Sequence, residues 1–196
     1  MNLELTPNLF IATGNNRDVY LYPSDDQRCI KIQKIQGDKH NRLEAKFLET
    51  HKSSIFPKYY GLVPTNLGDG LVVNLVKDFD GETSKSLVSY IESKTLSKEE
   101  ALEYIHCVGN ECLKNNFIMS DDGLQNILLK KASDGTFEPV FIDGFGPRND
   151  SLRYQLRSLI PPLTRYKTRK QIRGMLRKLN ILMERVNAES SSNDQA

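Results

Sequence analysis

Ser120-Asp121-Asp122-Gly123-Leu124-Gln125-Asn126 and Val140-Phe141-Ile142-Asp143-Gly144-Phe145-Gly146 decide how this chain is read. In the first stretch Asp121 precedes Asn126 by five positions, and the apolar run Ile127-Leu128-Leu129 follows at once. In the second an apolar run ends on an aspartate followed by glycines. Taken singly, each favours a plain turn, because Asp-Asp-Gly and Asp-Gly are ordinary turn sequences. Taken together, at the ends of two adjacent strands, they supply an acid, an amide and a second acid. One carboxylate can accept or orient a hydroxyl proton, and the amide with the other carboxylate can hold a divalent cation against phosphate oxygens. The pairing becomes persuasive only if the rest of such a site lies upstream.

The chain has 196 residues, enough for one domain with a real core or for two small lobes. Hydrophobic residues make up 38% and charged residues 27%, a globular rather than a disordered composition. A net charge of +2 is too small to imply a nucleic-acid partner for the whole chain. Cys29, Cys107 and Cys112 show no paired metal-ligand spacing and sit among apolar neighbours, which predicts reduced, buried thiols and a cytoplasmic location. The first residues lack the basic and apolar regions of a signal peptide, and no apolar run approaches the roughly 18 residues of a membrane span. His40, His51 and His106 show no ligand spacing.

The first third reads as strands. Leu9–Ala12, Val19–Tyr22 and Cys29–Gln33 are apolar runs separated by Gly14-Asn15-Asn16 and Pro23-Ser24-Asp25-Asp26, a meander with turn chemistry between strands. Leu43, Phe47 and Leu48 recur at helical spacing over Asn41–Lys52, with Asn41 as its cap. Two more strands are expected over Tyr59–Val63 and Gly70–Val76. Beyond Gly81 the pattern turns helical: Lys85–Ser93, then a helix opened by the capping box Ser97-Lys98-Glu99-Glu100 and stopped at Asn115-Asn116. Lys130–Pro139 reads as a hairpin. Ile172, Met175, Leu176, Leu179, Leu182, Met183 and Val186 predict a closing helix. These patterns divide the chain into 1–76, 77–187 and a polar, disordered tail at 188–196.

In element order the chain resembles the protein kinase-like fold, and it looks like the PhoP regulatory network protein YrbL family of bacteria, a compact branch of that fold. The resemblance runs from about Ile11 to Pro147 and is carried by Thr13-Gly14-Asn15-Asn16-Arg17-Asp18-Val19-Tyr20, Arg28-Cys29-Ile30-Lys31-Ile32, Lys77-Asp78-Phe79-Asp80-Gly81 and Gln125-Asn126-Ile127-Leu128. It implies an α+β, bilobal architecture: an antiparallel-sheet N-lobe and a reduced, mainly helical C-lobe. Gly14 and Val19 then belong to a glycine-rich loop over nucleotide phosphates, and Lys31 binds those phosphates while pairing with a helix glutamate. Glu44 is the first choice for that partner, with Glu49, on a different helix face, as the alternative. Lys77 and Phe79 lie in a hinge whose backbone contacts adenine. Asp121 takes the catalytic aspartate position, and Asn126 with Asp143 binds Mg²⁺ or Mn²⁺.

Several residues depart from the kinase pattern. Ala12 and Arg17 replace two of the loop glycines, although Arg17 is itself able to contact phosphate. Met119 and Ser120 replace a bracing histidine and arginine, and Gly123 replaces a lysine that carries γ-phosphate charge. One extra residue separates Asp143 from Phe145. Pro147-Arg148-Asn149-Asp150 is too brief for a peptide-binding activation loop.

The resemblance implies an ATP-dependent, metal-requiring phosphotransferase acting on an unidentified protein or small-molecule acceptor. The departures favour a second reading, a regulatory pseudokinase that binds nucleotide or a protein partner in a bacterial signalling network. A third follows from Arg153, Arg157, Arg165, Lys167, Arg169, Lys170, Arg173, Arg177 and Lys178: a basic C-terminal segment that binds nucleic acid or an anionic membrane surface. The alternative for that segment, favoured here, is a solvated helix face.

Overall fold

Turn chemistry divides the first part of the chain into β1 (Phe10–Thr13), β2 (Arg17–Tyr22) and β3 (Asp25–Gln33), with Ser24 left-handed at φ 68° in the second turn. Helix α1 (His40–Thr50) follows, then β4 (Tyr59–Thr65) and β5 (Gly68–Asn74). The computed structural model describes residues 2–35, 37, 39–147 and 160–193, with side chains described as far as Glu189. The first five strands form one sheet in the order β1-β2-β3-β5-β4, each pair antiparallel.

Register assigns the two faces of this sheet. Lys31 sits opposite Val19 on one side and Leu71 on the other, so these three residues share a face. Ile30 and Ile32 point the other way, where Leu5 covers them and Val72 completes a small apolar cluster. Leu5 is tied down by its amide, which donates to Asn66 Oδ1 at 2.8 Å. Both faces are therefore buried, and hydrophobic alternation along β3 could not reveal which way Lys31 points.

Asn41 is a correction. It is not the cap of α1 but lies inside its first turn, 1% exposed, and its Nδ2 donates to the backbone oxygens of Lys31 (2.8 Å) and Asp69 (3.1 Å). Asn41 is thus a strut between α1 and the sheet.

The second half is built from β6 (Lys85–Ser86), α2 (Leu87–Glu92), α3 (Lys98–Lys114), β7 (Ile127–Lys131) and β8 (Phe137–Phe141). The capping box forms: Ser97 Oγ accepts from the Glu100 amide and Glu100 accepts from the Ser97 amide. Asn116, left-handed at φ 56°, ends α3, and Gly135 at φ 85° turns the β7–β8 hairpin. The last described helix, α4 (Pro161–Asn193), starts well before its apolar repeat and continues into the stretch read as disordered tail. Its buried stripe of Ile172, Met175, Leu179, Leu182 and Val186 joins one core cluster with Leu71 and Val73 of the sheet, Phe47 of α1 and Ile105 of α3. Gly109 permits a close approach of α3 to α4: a β-carbon there would lie 2.7 Å from Ile172.

Arg165, Arg169, Lys170, Arg173 and Arg177 line the exposed side of α4, while Arg153, Arg157 and residues 148–150 lie outside the described residues. Cys29 and Cys112 are buried, as expected, but Cys107 is exposed. Burial pushes the Cys29 thiol up to about 11 and the Cys112 thiol up to about 12. No described helix is long and apolar enough to cross a membrane.

Candidate functional site

Lys31 reaches from β3 toward α1, where its Nζ lies 2.7 Å from Glu44 Oε1. The same Nζ donates to the backbone oxygen of Ile142, also at 2.7 Å, immediately before Asp143. Glu44 rather than Glu49 is therefore the partner of Lys31. Both charged side chains are less than 9% exposed, so each is stabilised by the other rather than by water.

Arg17 enters the same cluster. It is the first residue of β2 and shares the inner face with Val19, two positions on. Nη1 bonds Glu44 Oε2 and lies 3.4 Å from Asn41 Oδ1; Nη2 is 2.8 Å from Asp143 Oδ1. Burial disfavours charge on the guanidinium, but Glu44 and Asp143 outweigh it and raise its pKa. Partial desolvation likewise works against ionisation of Asp143. Arg17 and Lys31 overcome it, with the Gly144 amide at 2.7 Å, and push the carboxyl down to about 2. The cluster therefore holds two cations and two carboxylates and closes without net charge. Arg17, which the sequence reads as able to contact phosphate, has its side chain turned inward onto Glu44 and Asp143. Strand register, which fixes its face, is the missing signal.

Gly144 gathers the remaining groups. Its φ of +84° suits glycine, and a β-carbon there would lie 2.5 Å from Asp121 Cβ and 3.3 Å from Asn126 Nδ2. Asp121, Asn126 and Asp143 are thus packed around one backbone turn. The loop carrying Asp121 is held by that same turn: the amides of Ser120 and Asp121 donate to the Gly144 oxygen at 2.6 and 3.1 Å. Ser120 Oγ also donates to the Gly146 oxygen, and Gly146 donates to Ile118 at 3.0 Å. Met119, fully buried, anchors the loop in the core. Backbone pairing and Ser120 therefore brace a loop that lacks a histidine and an arginine. Asp121 Oδ1 accepts from the Gly123 amide at 2.8 Å, and neighbouring Asp122 pairs with Lys178 of α4 at 2.6 Å.

Phe145 carries the link back to α1. Its ring centroid is 5.3 Å from that of Phe47 and 4.7 Å from that of Phe56, with Phe117 and Phe141 completing the cluster. Phe47 lies one turn beyond Glu44, so aromatic packing and the ion cluster fix the same helix.

Other expected residues sit at the margins. The Gly14 amide donates to the Arg17 oxygen at 2.8 Å and so closes the β1–β2 hairpin. Lys77 turns away to Asp26, 2.6 Å distant, and the exposed Phe79 gives its amide to the Lys131 oxygen at 3.0 Å. Asp78 ties this segment down by accepting from the Lys131 amide at 2.9 Å and from Ser84 Oγ at 2.5 Å.

Asp143 and Asn126 offer hard oxygen ligands, the donor type that Mg²⁺ or Mn²⁺ prefers. The Asp143 side chain is ionised and half exposed, and its contacts with Arg17 and the Gly144 amide both fall on Oδ1. The residues present fit such an ion.

The crystal structure of the Mycobacterium tuberculosis PknI kinase domain, a double mutant, is similar at a TM-score of 0.49 and 10% identity. That match covers 69% of this chain, which spans 56% of the PknI domain chain. "Uncharacterized protein YrbL" of Escherichia coli (strain K12) is 31% identical over 146 residues, 69% of this chain and 70% of that protein. The Shigella flexneri protein of the same description matches to the same extent. Residues 3–180 match the family described as PhoP regulatory network protein YrbL, and the chain belongs to that family.

Proposed function

We propose that this protein is an ATP-dependent, metal-requiring phosphotransferase of kinase-like fold. The observation that carries the reading is the Lys31–Glu44 pair, whose lysine also bonds the residue before Asp143 while Asp121 and Asn126 both pack on Gly144. In this reading Lys31 holds phosphate oxygens and Glu44 fixes its direction. In the same reading Asp121, on a loop locked by Gly144, takes or orients the acceptor's hydroxyl proton. Asn126 and Asp143 would hold Mg²⁺ or Mn²⁺, which when bound neutralises charge on the phosphate oxygens.

The test is ADP formation by the full chain with Mg²⁺ or Mn²⁺, alongside thermal stabilisation by ATP. Asp121→Ala is expected to lower turnover by about a hundredfold or more while ATP still binds. Turnover retained in that variant overturns the role of Asp121. A second reading, the regulatory pseudokinase, is favoured by one specific contact, Arg17 on Asp143. ATP binding without any turnover in wild type selects it.

A further inference from the structure

Arg17 stands where the proposed reaction would place positive charge. We propose that Arg17 is the built-in counter-cation of Asp143 for nucleotide binding, so that the site takes a nucleoside polyphosphate without needing a divalent ion. This rests on the phosphotransferase reading but concerns the binding step alone.

Without Arg17 the cluster would hold Lys31 against Glu44 and Asp143, with Asp121 on the same turn, an excess of negative charge that repels phosphate. In most such sites a metal ion removes that excess. Here the guanidinium offsets the Asp143 charge from within the protein, 2.8 Å from Asp143 Oδ1. The contact is pre-formed. Arg17 is 7% exposed, is held by Glu44 as well as Asp143, and its backbone oxygen is fixed by the Gly14 amide. The loop gives a second reason. With the Gly14 amide spent on that hairpin bond, the loop has one fewer amide to share phosphate charge, and an offset Asp143 matters more. Because both contacts to Asp143 fall on Oδ1, a metal can still join for transfer, so binding and transfer differ in their need for it.

The experiment is titration calorimetry of the full chain with ATP, in excess EDTA and in excess Mg²⁺. Wild type is expected to show dissociation constants within about threefold of each other. Arg17→Met is expected to lose about tenfold to a hundredfold in EDTA, the value of one charge-assisted contact, and to regain most of it with Mg²⁺. Wild-type binding that falls tenfold or more in EDTA overturns the inference and leaves the phosphotransferase reading standing. An Arg17→Met protein equally insensitive to EDTA overturns it too. If that variant does not fold, the wild-type comparison decides by itself. Absence of ATP binding in both buffers overturns this inference together with the reading beneath it.

Discussion

Glu44 answers two buried cations at once, Lys31 and Arg17, and the energetic consequence is unequal. Removing the shared acid strands both cations in the interior, whereas removing Lys31 leaves Glu44 still paired. Glu44→Gln is expected to cost about 3–5 kcal/mol and Lys31→Met clearly less, measured by urea denaturation. Equal losses would show that Arg17 does not share the acid. Asp143 carries a pH signature. Its folded pKa of about 2 lies below the ordinary 3.8, so its contribution to stability is present above that value and disappears as pH falls toward 2. Urea midpoints between pH 5 and pH 2 should therefore fall less steeply in Asp143→Asn than in wild type. Asp121, Asn126 and Asp143 were legible as a trio because their spacing survives in one dimension. Arg17 was not legible as a partner of Asp143, because that contact depends on Val19 pairing with Lys31 across two strands. Asn41 looked like a cap because asparagine caps helices; only the folded sheet supplies the Lys31 and Asp69 oxygens it binds.

At the scale of elements, α1 is clamped by ionic contacts at Glu44 and by rings at Phe47. Phe145→Ala removes the ring nearest Phe56 and is expected to cost about 3–5 kcal/mol. It should also lower ATP affinity, because α1 then loses its seat and Glu44 its aim; unchanged affinity at reduced stability would uncouple the two. The α3–α4 contact has a tighter tolerance. Gly109→Ala puts a methyl 2.7 Å from Ile172 and is expected to cost about 1–3 kcal/mol by thermal melting. The strands and the capped helix α3 were readable because turns, caps and periodicity are local. The start of α4 at Pro161 was not, since its first turns expose Leu163 and Tyr166 and carry no apolar stripe.

For the whole molecule, the core cluster runs from the inner face of the five-stranded sheet through α1 and α3 to α4. The α+β division into a sheet-bearing first half and a mainly helical second half was legible. That one core would serve both halves was not, because the joining residues are far apart in sequence. Tryptophan is absent, so tyrosine fluorescence and far-ultraviolet circular dichroism are the natural probes. They are expected to report one coincident urea transition; two separated midpoints would mean that the halves unfold independently. Cys107 has a further use. It is the exposed thiol on α3, whereas Cys29 and Cys112 are sealed inside with their thiols pushed far above neutral. The native protein thus carries a ready point of attachment for a spin label. A second label in the Gly14–Asn16 turn would make the distance between the halves directly measurable, with and without ATP.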